Sequence, residues 1–110
     1  MQMVCQQDAI ECRVLLRGRI TIDSSPHLRE VLLERMNSAS CQILAVDLDK
    51  VEYIDTSGLA VLVETLRAAR KQGKQLKLSR LGERPRYLLE TTRLLHLFGE
   101  TSTTSQVPSR

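Results

Sequence analysis

Residues 51–73, VEYIDTSGLAVLVETLRAARKQG, pass from a β-type run into a regular helical one across three small residues, Thr56, Ser57 and Gly58. From there Leu59, Leu62, Val63, Leu66 and Ala69 recur at steps of three and four, which predicts an amphipathic helix with that stripe buried. Gly73 suits its C-terminal stop. Asp55 stands just before the helix, where a carboxylate accepts bonds from the unpaired N–H groups of the first turn. Gly58 lets another backbone come close and is read as clearing room for a partner's surface, and the helix dipole makes this end hospitable to anions. A hydroxyl placed here satisfies two readings, a plain helix cap and an acceptor for phosphate.

Upstream, residues 41–48, CQILAVDL, form a short, nearly continuous apolar run suited to a central strand covered on both faces. Before it, Ser25 and Pro26 read as a cap and first-turn proline, and Leu28, Val31, Leu32 and Met36 share a face, predicting a helix from about Pro26 to Met36. The chain starts with two strands, 3–6 and 11–17, in which Cys12, Val14 and Leu16 share one face, joined by a turn near Gln7 and Asp8. Downstream, KQLKLS alternates as a strand, and ERPRYLLETTRLLHLF reads as a proline-started helix ended by Gly99. In that last segment Tyr87, Leu88, Thr91 and Thr92 fall near a common face. The order implies an α/β fold, a mixed four- to five-stranded sheet with helices packed on it. Right-handed crossovers place the first two helices on the same side. The DTSGL segment then lies at the carboxyl end of strand 41–48, after a connecting turn, where ligands and partners of such sheets gather.

Composition excludes several functions. A chain of 110 residues makes one domain, able to bury roughly 65% of its unfolded surface. Aromatic residues make up 3% of it and Trp is absent, so the core is aliphatic and base-stacking platforms are not expected. No apolar run is long enough for a bilayer, so no membrane insertion is expected, and Met1 to Asp8 lack the layout of a signal peptide. A cytoplasmic location follows as the expectation. Cys5, Cys12 and Cys41 show no CxxC spacing and read as small buried or half-buried hydrophobes. His27 and His96 stand apart from any cysteine at metal-type spacing, so neither a metal nor another cofactor is expected. No GxSxG elbow or other pairing of nucleophile and base marks a catalytic residue. The last eleven residues, ETSTTSQVPSR, have one apolar residue and read as a flexible hydroxyl-rich tail, which leaves residues 1–99 as the domain.

Three stretches, LLRGRITIDSSPHLREVLLERM, ILAVDLDKVEYIDTSGLAVLVETLRAARKQG and LLETTRLLHLFGE, together with the order of elements, resemble the STAS domain of bacterial anti-sigma factor antagonists. The most specific piece is Asp55, Thr56, Ser57, Gly58 and Leu59 after Asp47, Leu48 and Val51. The resemblance implies a non-enzymatic, phosphorylation-switched protein. Unphosphorylated, such a protein binds an anti-sigma factor that is also a serine kinase, which frees a sigma factor for transcription. The kinase phosphorylates the motif to end binding, and a serine phosphatase resets it. Ser57 is the expected acceptor and Thr56 the second choice, with Asp55, Thr56, Ser57, Gly58, Leu59, Val61, Arg19, Thr21 and Asp23 as the partner face of a monomer or weak dimer. The sequence departs from the family where its Gly-Glu-Leu-Asp pattern reads Gly18, Arg19, Ile20 and Thr21, so a partner-facing acidic site is basic or neutral here. The family's final helix after the Leu-Phe segment is replaced by the hydroxyl-rich tail.

Charge is regional. Residues 67–93 hold nine Lys or Arg against Glu83 and Glu90, while residues 1–66 hold six basic and ten acidic ones. Such a segment is either a solvated helix end and loop, with Arg67, Arg70 and Lys71 complementing a helix dipole, or a contact for an acidic protein or, as the second choice, for membrane lipids. Direct nucleic-acid binding is not expected, because no recognition motif accompanies the charge. A second function is compatible with the same resemblance: a STAS scaffold subunit of a lipid-transport ABC complex or of a larger signalling assembly.

Overall fold

The computed structural model describes residues 1–93. Strands β1 (Gln2–Asp8), β2 (Glu11–Ile20), β3 (Ile43–Ile54) and β4 (Gln75–Ser79) form one sheet in that spatial order. The first pair is antiparallel and the other two are parallel. Helix α1 (Ser25–Met36) links β2 to β3, α2 (Thr56–Lys71) links β3 to β4, and α3 (Glu83–Thr91) follows β4. The expected α/β fold with a mixed sheet is therefore present, with four strands among the described residues. Residues 94–99 of the predicted last helix, its Gly99 stop and the tail 100–110 lie outside the described residues.

Alternation places Cys12, Val14 and Leu16 of β2, Leu44, Val46 and Leu48 of β3, and Leu76 and Leu78 of β4 in a single core cluster. Leu28, Leu32 and Met36 of α1 and Leu59, Leu62, Leu66 and Ala69 of α2 belong to the same cluster, and the two helices pack against each other, as two crossovers on one side require. Val31 and Val63, predicted on these stripes, are half-buried at their margins. A bidentate ion pair crosses the helices above the core, from Arg29 to Glu64 at 2.8 and 2.6 Å. Gly73 adopts φ +69° just past α2, a left-handed stop that glycine takes without a Cβ penalty.

Three expectations shift. The hairpin turn lies at Ala9 and Ile10, two residues past Gln7 and Asp8, because the pairing continues through Asp8 and Glu11. The Ile10 carbonyl then accepts the N–H groups of Gln42 (2.8 Å) and Ile43 (3.1 Å), anchoring the start of β3. Ser24 takes the cap position ahead of α1, while Ser25 is buried. Strand β3 does not end at Leu48 but runs to Ile54, since two register shifts against β2 absorb the polar stretch after Leu48. The Asp47 carboxylate accepts the Asp49 N–H at 2.9 Å there. The central strand is buried on both faces as expected, though by different means. Opposite the core face, Ala45 is flanked by Arg13 and Lys77, and Asp47 meets the Arg80 guanidinium at 3.7 Å.

Cys12 and Cys41 are buried and Cys5 is exposed, all three as free thiols. Burial, and next the neighbouring Cys12, pushes the Cys41 thiol up to about 11. Leu62 is fully buried between helix and sheet. Leu62→Ala is expected to cost about 2–5 kcal/mol, read as a lower urea midpoint at an unchanged slope.

Candidate functional site

The Asp55 side chain is the node at the carboxyl end of the sheet. It caps α2 from an extended backbone, and its Oδ1 accepts the N–H of Ser57 (2.9 Å), the N–H of Gly58 (3.1 Å) and the hydroxyl of Ser57 (2.5 Å). Its Oδ2 accepts the Ile22 N–H at 3.1 Å, from the loop that leads into α1. The backbone joins the same two segments, since the Asp55 N–H donates to the Ile20 carbonyl at 3.0 Å. The Ser57 hydroxyl above all, and then the N–H groups of Gly58, Ser57 and Ile22, hold the Asp55 carboxyl below the usual carboxylate range against the opposing effect of burial.

Ser57 is half-buried and Thr56 exposed. Phosphate on Ser57 Oγ replaces a donor with acceptor oxygens, so it removes the hydroxyl's bond to Asp55 and sets about 1.5 to 2 negative charges beside a carboxylate. Thr56, the first residue of α2, is exposed, and a phosphate there leaves the bond from the Ser57 hydroxyl to Asp55 in place. Gly58 is buried, and a Cβ there would stand 2.7 Å from Ile54 Cγ1 and 2.8 Å from Ile20 Cγ2. Its smallness therefore serves the packing of α2 on the ends of β2 and β3; it was expected to clear room for a partner, which its burial contradicts. Leu59 (3% exposed) and Val61 (6%) likewise belong to the core and not to an open apolar face, leaving Ala60 as the exposed residue between them.

The loop from β2 to α1 forms the second wall. The Thr21 carbonyl accepts the N–H groups of Ser24 (2.9 Å) and Ser25 (2.7 Å), the Ser24 hydroxyl accepts the Thr21 N–H at 3.0 Å, and the Thr21 hydroxyl accepts the Asp23 N–H at 3.3 Å. Thr21 is half-buried, and Asp23 and Ile22 are exposed. Arg19 lies on β2 opposite Tyr53 of β3, with its guanidinium 4.5 Å from the ring centroid. A groove of about 360 Å³ continues from there, lined by Tyr53, Ile54, Asp55, Thr56, Tyr87 and Leu88. Arg19, Thr21, Asp23, Asp55, Thr56 and Ser57 thus gather at one end of the molecule. Sequence reading missed Tyr53, Tyr87 and the Ile22 N–H. The Tyr53 ring is one residue from the motif's strand end and could have been noticed; nothing in the sequence marks a backbone N–H.

Two features elsewhere carry structure. Within the basic segment, Lys74 Nζ donates to the carbonyls of Met36 (2.7 Å) and Ser38 (2.9 Å), and Lys77 lies 3.9 Å from Glu11, which supports the structural reading of part of that charge. Among the described residues no cluster of His, Cys, Asp or Glu could hold a metal ion, and no helix is long and apolar enough to cross a membrane.

A mixed four-stranded sheet with paired crossover helices, and a carboxylate-capped hydroxyl at the start of the second, defines a STAS-type domain. The family model described as "Mlab, STAS domain" matches residues 3–99, and the chain belongs to the STAS domain family. An anti-sigma-B factor antagonist of Bacillus subtilis (strain 168) is 36% identical over 89 residues, covering 81% of this chain and 80% of that protein. An anti-sigma factor antagonist from Mycobacterium paratuberculosis superposes with a TM-score of 0.80 at 21% identity, covering 89% of this chain and 82% of the other. The Bacillus cell fate determinant SpoIIAA in its phosphorylated form superposes with a TM-score of 0.71 at 11% identity, covering 84% and 85%. The two superpositions show the shared fold.

Asp55→Ala is expected to cost about 1–3 kcal/mol, because a helix cap is lost and the Ile22 N–H loses its acceptor. The depressed Asp55 pKa means that this stabilisation is fully present above the carboxyl's unfolded value of about 4 and is lost as pH falls through its lower folded value. The stability gap between wild type and Asp55→Ala, measured by urea unfolding, should therefore be level at neutral pH and narrow in acid.

Proposed function

We propose that this chain is an anti-sigma factor antagonist switched by phosphorylation of Ser57. Unphosphorylated, it binds an anti-sigma factor serine kinase in the cytoplasm and releases a sigma factor for transcription. The observation that carries the reading is the Ser57 hydroxyl, held by Asp55 at 2.5 Å on the first turn of α2, in a chain 36% identical to an anti-sigma-B factor antagonist. In the transfer step Ser57 Oγ attacks the γ-phosphorus of ATP bound to the kinase. The new O–P bond forms as the bond from that phosphorus to the β–γ bridging oxygen breaks, ADP leaves, and the hydroxyl proton passes to a base of the kinase. The chain acts as substrate and ligand, and it contributes no catalytic residue, cofactor or metal of its own. A serine phosphatase hydrolyses the ester and restores the hydroxyl.

Release follows from electrostatics. The face around Asp55 presents a carboxylate whose oxygens are already engaged by donors, so a partner can cover it without stranding free charge. An unpaired phosphate under the same cover adds several kcal/mol of desolvation. Arg19, Thr21, Asp23, Asp55, Thr56 and Ser57 make up the proposed face, with the groove beside Tyr53 continuing it.

The decisive experiment incubates the chain with its cognate kinase and ATP and locates the phosphate by mass spectrometry. A gain of one phosphate on Ser57, absent in Ser57→Ala, is expected; phosphate on Thr56 would move the switch by one residue. Ser57→Asp should weaken kinase binding about 100-fold or more while the unfolding midpoint stays near wild type. Equal affinities for wild type and Ser57→Asp, with no phosphate gained, would leave the STAS scaffold role in its place.

A further inference from the structure

We propose that Arg19 selects the partner by taking a carboxylate from an acidic segment of the anti-sigma factor, whose adjoining apolar side chain fills the groove between Tyr53 and Tyr87. The inference rests on reading the Ser57 end of the molecule as the partner face. Arg19 is exposed, and its guanidinium is laid over Tyr53 at 4.5 Å, which orients the planar group before any partner arrives. Among the described residues no carboxylate lies within ion-pair distance of it. Asp55, close by in the fold, has its carboxylate occupied by Ser57, Gly58 and Ile22. A stacked arginine with open N–H edges is suited to a bidentate carboxylate.

The groove supplies the second half of the contact. Tyr53 is shared between Arg19 and this groove, whose outer wall includes Tyr87, 68% exposed, and the half-buried Leu88. Exposed tyrosine beside an arginine is the composition that concentrates binding energy at protein interfaces. Ile22, also 68% exposed, stands on the other side of Asp55 and widens the apolar border. The flanking Asp23 and Asp55 repel an extended polyanion such as nucleic acid or an anionic membrane, whereas a single carboxylate can reach Arg19. A protein segment with one acid next to one apolar residue fits both features.

The test titrates each purified anti-sigma serine kinase encoded in the source genome with wild type, Arg19→Ala, Arg19→Glu, Tyr87→Ala and Ser57→Asp by calorimetry. Arg19→Ala is expected to weaken binding about tenfold and Arg19→Glu about 100-fold or more, mainly through faster dissociation. Replacing the partner's matching Asp or Glu by Lys should restore binding to Arg19→Glu. Tyr87→Ala serves as the second variant should Arg19→Glu fail to fold, and it too should weaken binding about tenfold. Wild-type affinity in Arg19→Ala and Tyr87→Ala, with binding lost in Ser57→Asp, overturns this inference and leaves the phosphorylation switch standing. If no kinase binds the wild type, the switch and this inference fall together.

Discussion

The carboxylate of Asp55 holds two segments of the chain that are distant in sequence. One oxygen gathers the first turn of α2, and the other takes the Ile22 N–H from the entrance to α1. Both oxygens therefore have donors, and the loop after β2 is fixed relative to the start of α2. The N–H groups of a first helical turn need acceptors in any case. Here the acceptor also sets the distance between the two walls of the face, so the geometry of the hydroxyl on Ser57 and the position of Thr21 and Asp23 both depend on it.

That arrangement makes a small chemical change large in its effect on a surface and small in its effect on the fold. The helix dipole favours a phosphate at this end by about 0.3–1 kcal/mol. A phosphate on the hydroxyl that bonds Asp55 stands about 4 Å from the carboxylate and is opposed by roughly 2 kcal/mol in a solvated setting, so repulsion exceeds the dipole's gain by about 1–2 kcal/mol. Against a total stability of about 5–15 kcal/mol the folded state is retained. The outcome differs once a partner excludes water, because the same charges then act in a lower dielectric with nothing to solvate them. On the proposed reading, phosphorylation of Ser57 acts through the partner's cover and not through a conformational change within the domain.

Gly58 shows how tightly the site is built into the core. The N-terminal turn of α2 sits so close to Ile20 and Ile54 that a Cβ would have to displace both side chains. Leu59 and Val61 then enter the core directly behind the capped turn. The first turn of α2 accordingly rests on packed aliphatic side chains, while Asp55, itself held by the Ile22 and Gly58 N–H groups, fixes the Ser57 hydroxyl.

The amphipathic period of Leu59 to Ala69, the start of α2 at Asp55, the proline in the first turn of α1 and the alternation in β2 and β4 were legible in the sequence, because each depends on residues within one or two turns of each other. They determined the α/β order and the place of the hydroxyl motif. The length of β3 was not legible, since its polar second half is kept in the sheet by register shifts against β2. The role of Gly58 was misread for the same reason: the two isoleucines it meets come from different strands. Tertiary structure alone decided that the Ile22 N–H reaches Asp55, that Arg19 stacks on Tyr53, and that Tyr87 of α3 walls the adjoining groove. Each of these joins residues from separate elements, and their proximity is created by the packing of helices on the sheet, to which local pattern is blind.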